Sequence, residues 1–255
     1  MKIVYGPIAS WRLGKSLGVD LICQEKKICS FDCSYCQLKG TENITTEKKA
    51  FVSINKIREE LASALSKTTP DIITFSGMGE PTLASNMDEA INLIKGISNL
   101  PIAILTNSSL LYDKEVQNNL KKIDIIVAKL DAPNEELFQT ISRPAEGITF
   151  EKTFNGIKSM KKQFSGKFAL QMMFMKENKA YANDLADLAR EIQPDEVQIN
   201  TPLRLCNVQP LSKHELLEIE KKFTGLNTIN VYTTPKPKTS PLNMSELYKR
   251  SRMVP

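Results

Sequence analysis

At 255 residues and 41% apolar side chains the chain can bury one sizeable core, the length of a single α/β barrel. No apolar run approaches the ~18–20 residues needed to cross a bilayer, and the start, Met1-Lys-Ile-Val-Tyr-Gly-Pro-Ile, has no long apolar stretch of the secretory kind. The expectation is a cytoplasmic protein without a membrane, in a reducing compartment where five cysteines, an odd number, argue against a disulfide framework.

Lys2 to Ile8 alternates weakly and reads as a short strand. Trp11 to Asp20 reads as a loop with a plain turn at Gly18, where Arg12 and Lys15 are possible anion contacts. Val19–Cys23 is expected as the first buried strand. Ser53 caps a helix over Ile54–Leu65, whose apolar residues Ile54, Ile57, Leu61 and Leu65 fall at helical spacing. Strands are then predicted over 71–76, 102–106, 123–130, 167–175, 196–200 and 228–232. Helices are predicted over 87–97, 113–120, 150–160, 180–192 and 212–223. Regular alternation of this kind calls for a parallel sheet with right-handed crossovers. Six or seven units fall short of the eight that close a barrel. The expected fold is therefore α/β: one partial, open, parallel (β/α)6-type TIM-like barrel over residues 1–232. A basic, proline-rich tail follows over 233–255. The tail carries Lys236, Lys238, Lys249, Arg250 and Arg252 against Glu246, so it reads either as a contact for a phosphate backbone or as a solvated segment packed over a neighbour.

The chemistry-bearing stretch is Cys29-Ser-Phe-Asp-Cys33-Ser-Tyr-Cys36, three cysteines within eight residues. Close spacing lets one loop wrap its sulfurs around a metal centre. A [4Fe–4S] cluster takes four cysteine thiolates, so three would leave one iron open to an exogenous ligand. With Cys23 upstream the same residues could instead form a closed structural zinc site. Strand ends are where sites form in parallel α/β folds. The polar residues there are Gly77-Met78-Gly79-Glu80, Thr106-Asn107-Ser108-Ser109, Lys129-Leu-Asp131, Gln171 with Lys176 and Glu177 beyond it, and Asn200-Thr-Pro-Leu-Arg204.

The C-x3-C-x2-C loop resembles the signature of the radical S-adenosylmethionine (SAM) superfamily, and Phe75-Ser-Gly-Met-Gly-Glu-Pro81 resembles that superfamily's Gly-Gly-Glu-Pro segment. The resemblance implies that Cys29, Cys33 and Cys36 hold a [4Fe–4S] cluster and that SAM chelates the fourth iron. It further implies that the carbonyls of Gly77, Met78, Gly79 and Glu80 meet the SAM amino group and that the main chain near Tyr35 meets the adenine. Asn107 and Gln171 are then candidates for the SAM ribose or carboxylate, and Lys129 and Asp131 for SAM or substrate. One electron, delivered by a ferredoxin- or flavodoxin-like donor, would split SAM into methionine and a 5′-deoxyadenosyl radical that abstracts hydrogen from a substrate. Whole phrases, among them Tyr5–Asp20, Lys129–Pro133, Ser142-Arg-Pro144 and Asn200–Arg204, resemble the group related to the tRNA 4-demethylwyosine synthases. That implies tRNA modification. Those enzymes carry a second cluster on three further cysteines, which Cys23 and Cys206 do not supply. Both cysteines read as small buried residues, with Cys206 alternatively a thiol or ligand near the substrate. A partner protein or peptide is the alternative substrate; a zinc or electron-transfer protein without enzymatic activity is the third reading.

Overall fold

The computed structural model describes residues 1–38 and 43–250. Strands β1 (Val4–Ser10) and β2 (Gly14–Val19) form an antiparallel hairpin. Two short strands, β3 (Ile28–Cys29) and β4 (Asn43–Ile44), pair beside it. Helix α1 (Ile54–Leu65) then leads to β5 (Ile72–Phe75), α2 (Met87–Ile97) to β6 (Ile102–Thr106), and α3 (Lys114–Leu120) to β7 (Ile125–Lys129). Two helices, α4 (Glu135–Ser142) and α5 (Phe150–Gln163), precede β8 (Lys167–Met173). After it come α6 (Ala182–Ile192), β9 (Glu196–Asn200), α7 (Lys213–Glu220), β10 (Thr228–Asn230) and a last short helix, α8 (Met244–Tyr248).

The main sheet runs β1-β2-β5-β6-β7-β8-β9-β10, parallel everywhere except the β1–β2 pair, and its two end strands do not meet. It is the open, curled partial barrel that the strand–helix alternation predicts. Alternate residues of each strand face opposite sides. One set, including Leu17, Val19, Ile73, Phe75, Ile104, Ile126, Phe168, Leu170 and Ile199, joins Ile57, Leu61, Ile91, Ile94, Leu185 and Leu216 of the helices in one large core. The other set faces the barrel interior and is partly polar: Ser16 bonds Thr74 at 2.7 Å, and Gln171 stands in register with Lys129 on one side and Gln198 on the other. The fold thus puts apolar packing outside the sheet and polar chemistry inside it.

Three expectations need correction. The strand expected over Val19–Cys23 ends at Val19 and begins at Gly14. Asp20 stops it, because its Oδ1 accepts the N–H groups of Ile22 (3.1 Å) and Cys23 (2.8 Å) and folds the chain into a turn. Gly18, expected as a turn, lies within the strand: a Cβ there would stand 2.2 Å from the Tyr5 ring, so glycine makes room for that ring. Helix α4 was not predicted, although its signals are present. Asn134 caps it through the Leu137 N–H, Glu135 and Glu136 occupy the first turn, and Arg143 ends it in the left-handed region.

Of the tail's cations, Arg250 turns inward and is 5% exposed, bonded to Asp20 and Glu246. Arg252 lies outside the described residues.

Candidate cluster and cofactor site

The cysteine loop leaves β2 and lies across the carboxyl ends of β5 and β6, stitched down from both sides. On one side the Ile28 N–H donates to the Met78 carbonyl (3.1 Å) and the Glu80 N–H to the Ile28 carbonyl (3.3 Å). On the other, Asp32 N–H reaches the Arg143 carbonyl (3.1 Å), Ser34 N–H the Ile141 carbonyl (2.8 Å) and Ala145 N–H the Ser30 carbonyl (2.8 Å). Here α4 and the turn after it have a purpose: they supply the second wall of the loop. Phe31 packs edge-on against Phe138 of α4 at 5.4 Å between ring centroids.

The glycines of the 77–80 segment answer to this stitching. A Cβ on Gly79 would stand 1.6 Å from the Ile28 carbonyl oxygen, and one on Gly77 would stand 2.0 Å from the Asp20 carboxyl carbon. Asp20 Oδ2 accepts the Met78 N–H at 3.1 Å. Glu80 is 2% exposed and turns its carboxylate inward. It accepts from Thr106 Oγ1 (2.7 Å), Asn107 N (2.6 Å), Thr82 N (3.1 Å) and Thr82 Oγ1 (2.8 Å), which ties the end of β5 to the end of β6. Burial still pushes its carboxyl above the ordinary range.

Cys29 is buried and Cys33 and Cys36 are half-buried. Burial drives the Cys29 thiol up to about 12 and the Cys33 thiol up to about 11. Free of metal, both are therefore protonated near neutrality, and only a coordinating metal would ionise them. Lys27, 4% exposed, is the fixed counter-charge. Burial disfavours its ammonium, but the sulfurs of Cys29, Cys36 and Cys33 once ionised, together with Asp32, outweigh burial and raise its pKa. Its Nζ donates to the Phe31 carbonyl at 3.0 Å and lies 3.7 Å from Asp32 Oδ1. Three thiolates beside one buried ammonium suit an anionic iron–sulfur centre. Among the described residues no three cysteine, histidine or carboxylate donors are already placed to hold a metal ion, so the cysteine spacing and the glycine-rich segment are what favour a cluster over zinc.

Asn107 faces this loop. Its Nδ2 donates to Ser30 Oγ (2.9 Å) and to Cys29 Sγ (3.5 Å), while its Oδ1 accepts the Ser109 N–H (3.0 Å). Ser30 and Ser109 hydroxyls meet at 2.6 Å. Tyr35 donates its hydroxyl to Asp131 Oδ2, Asp131 Oδ1 accepts the Met173 N–H at 2.8 Å, and Lys129 Nζ stands 3.3 Å from Asp131 and 4.7 Å over the Tyr35 ring. Gln171 accepts from Arg12 Nη1 at 3.1 Å. The structure therefore gathers the three cysteines with Tyr35, Gly77, Met78, Gly79, Glu80, Asn107, Lys129, Asp131 and Gln171 around one end of the sheet.

The Radical SAM superfamily matches residues 27–189, well over half of the chain. The chain belongs to the Radical SAM superfamily. It is 39% identical over 202 residues to a UPF0026 protein of Synechocystis, covering 79% of this chain and 76% of that one. It is 36% identical over 237 residues to a protein of Brachyspira hyodysenteriae named GTPase Obg, covering 90% of this chain but 35% of the relative, so it spans about a third of that relative's length. Solved structures agree on the fold. Streptococcus suis SuiB bound to its precursor peptide SuiA aligns with a TM-score of 0.64 at 16% identity over 86% of this chain and 49% of SuiB. Native anSMEcpe with bound AdoMet aligns with a TM-score of 0.62 at 17% identity over 85% of this chain and 64% of that one.

Set in a radical SAM frame, the remaining cysteines separate. Cys23 turns away to the Met1 carbonyl (3.8 Å) and Arg250 Nη2 (3.6 Å), whereas Cys206 packs with Cys33 and Tyr35 and meets the Val208 carbonyl at 3.3 Å. Lys15 bonds Asp71 through its main-chain N–H at 2.7 Å, Arg143 lies 3.9 Å from Asp32, and Lys176 and Glu177 are exposed. The sequence reading missed Lys27, Asp20 and Ser30. Lys27 had a visible signal, a lysine two residues before the first cysteine; Asp20 and Ser30 show their importance only through partners far away in the chain.

Proposed function

We propose that this protein is a radical SAM enzyme in which Cys29, Cys33 and Cys36 bind a [4Fe–4S] cluster and leave one iron for SAM. The observation that carries the reading is the buried Lys27 ammonium held against three buried or half-buried thiols. When bound, the cluster and SAM supply a one-electron reduction that yields methionine and a 5′-deoxyadenosyl radical able to abstract hydrogen from a substrate.

The chain's own residues position and enclose. The segment from Gly77 to Glu80 offers carbonyls to the SAM amino group, held in place by Asp20 and by the Ile28 main chain. Asn107 gives its amide N–H groups to the cysteine loop while its Oδ1 is held by the Ser109 N–H, so its role is to hold Cys29 and Ser30 and to aim an N–H at sulfur. Gln171 keeps Nε2 as a donor for the SAM ribose or carboxylate, its Oε1 being bonded to Arg12. Tyr35, fixed by Asp131 and covered by Lys129, closes the side of the site where the adenine is expected. A ferredoxin- or flavodoxin-like protein would deliver the electron.

For substrate we infer an RNA of tRNA type. The support is the resemblance of whole phrases to the wyosine-synthesis group, with exposed cations such as Lys236 and Lys238 in the tail. Arg250 gives no support here, being spent inside the protein. A peptide is the second reading, favoured by the solved SuiB complex with its precursor peptide.

The test is anaerobic reconstitution with iron and sulfide, then dithionite and SAM, with 5′-deoxyadenosine as product and Cys33→Ala as control. Formation by the wild type and its loss in the variant support the enzyme; equal formation in both would sink it. A tRNA affinity that falls steeply with salt favours RNA, and stimulation of SAM cleavage by peptide alone favours the second reading.

A further inference from the structure

Arg12 sits at the tip of the β1–β2 hairpin and points into the barrel. Its head makes one hydrogen bond, Nη1 to Gln171 Oε1. Its Nε is buried without a partner, and among the described residues no carboxylate pairs with it. Burial first, and then the charge of Arg204, lower the Arg12 guanidinium to about 10. Arg204 itself is exposed and donates to Gln37 Oε1 at 2.8 Å, on the residue after Cys36. Arg204 thus bears on Arg12 through its charge, and among the described residues no carboxylate pairs with either.

The row beside them is equally unfinished. Lys129, Gln171 and Gln198 are register partners on neighbouring parallel strands, so their side chains share the interior face. Gln198 donates Nε2 to Glu196 at 2.9 Å, yet its Oε1 is buried and unpartnered. A buried guanidinium normally comes with its counter-ion, and a buried acceptor with a donor. With Nη1 engaged, the Nε edge of Arg12 remains, the side of the fork that takes a carboxylate or phosphate in two-point fashion.

We propose that Arg12 and Arg204 form the seat for an oxyanion of the substrate, a phosphate or a carboxylate, with Gln198 accepting from an N–H or O–H next to it. The proposal rests on the reading of these strand ends as the active site and adds the substrate's chemical class. Through Gln171 and Lys129 the seat is continuous with Tyr35 and Cys33, so the anion anchors the substrate beside the place where SAM is expected. Arg204 lies on the segment between β9 and α7, and Arg12 on the turn between β1 and β2.

Isothermal titration of the full chain with inorganic phosphate and with acetate, at constant ionic strength, tests this. The protein is measured as purified and again after reconstitution, unreduced, with and without SAM. Saturable binding of at least one anion is expected, weakened about tenfold or more in Arg204→Gln and in Arg12→Gln, with partial recovery in Arg12→Lys. The preferred anion tells whether the substrate group is a phosphate or a carboxylate. Absence of saturable binding, or wild-type affinity in Arg204→Gln, which changes an exposed side chain and will fold, overturns the seat. Displacement of the anion by SAM overturns it as a substrate seat. Because binding is read without reductant, failure here leaves SAM cleavage untested and intact, while failure of SAM cleavage leaves the anion titration readable.

Discussion

Arg250 Nε and Asp20 Oδ2, 230 positions apart in the chain, meet at 3.1 Å in the protein interior, 5% and 1% exposed at their side chains. The same Asp20 oxygen accepts the Met78 N–H of the proposed SAM segment. The end of the chain therefore neutralises the carboxylate that holds the cofactor loop. Arg250 also donates to the Lys2 carbonyl and lies 4.3 Å over the Tyr5 ring.

Arg250→Met leaves the buried Asp20 carboxyl without its cation. Breaking one side of a buried pair costs about 3–5 kcal/mol, which for a chain of this size lowers the melting temperature by roughly 6–10 °C. Asp20→Asn in the same chain should return part of that loss. Calorimetry of the two variants checks it; an unchanged melting temperature in Arg250→Met would remove the end of the chain from the account.

Two glycines give opposite expectations. Gly79→Ala drives a Cβ to 1.6 Å from the Ile28 carbonyl oxygen, where backbone must move, so the cysteine loop detaches from β5 and reconstituted iron is lost. Gly96, within α2, has open space where a Cβ would go, so Gly96→Ala should stabilise by about 0.5–1 kcal/mol with iron content unchanged. Melting curves and iron assays on the pair separate loop geometry from general fragility.

Glu246 gives a pH dependence. Burial raises its carboxyl, but Lys249, the Lys2 N–H and Arg250 together outweigh burial and hold it down to about 2. Its folded pKa lies below the ordinary carboxylate value, so its contribution is complete above about pH 4.5 and is lost as pH falls toward 2. After allowance for solvent screening the loss is about 1–2 kcal/mol. Glu246→Gln should flatten the melting temperature between pH 5 and 3 (about one protonation step); an identical acid slope in both proteins would contradict the assignment.

Lys27→Met removes the fixed positive charge beside the three cysteines. A more negative environment makes reduction of a cluster harder. The expected change is a midpoint potential lowered on the order of 60 mV, a tenfold shift for one electron. Potentiometric titration followed by electron paramagnetic resonance measures it, and a raised or unmoved potential would contradict the role given to Lys27.

Most of the barrel was legible because apolar alternation and caps are local. Ser53, Asp113 and Ser212 cap the helices that follow them, and the apolar strand over 125–129 is buried between its neighbours. The cysteine spacing and the glycine-rich segment were legible for the same reason: the ligands of one loop lie close in sequence. What escaped depends on distant partners. Gly18 reads as a turn until Tyr5 is laid over it. Asp20 reads as a strand residue until Ile22 and Cys23 donate to it. Arg250 reads as a solvent-facing tail charge until Asp20 is found beneath it. Helix α4 escaped because it is short and lies between two prolines, Pro133 and Pro144, although its Asn cap was visible.

The measurement that bears most directly on the central claim is the iron content of the anaerobically reconstituted wild type beside Cys33→Ala, Cys23→Ser and Cys206→Ser. The account predicts about four irons per chain for one [4Fe–4S] cluster, lost in Cys33→Ala and kept in the other two, with 5′-deoxyadenosine formed wherever iron is kept. Bound zinc without SAM cleavage, or iron retained in Cys33→Ala, would contradict it.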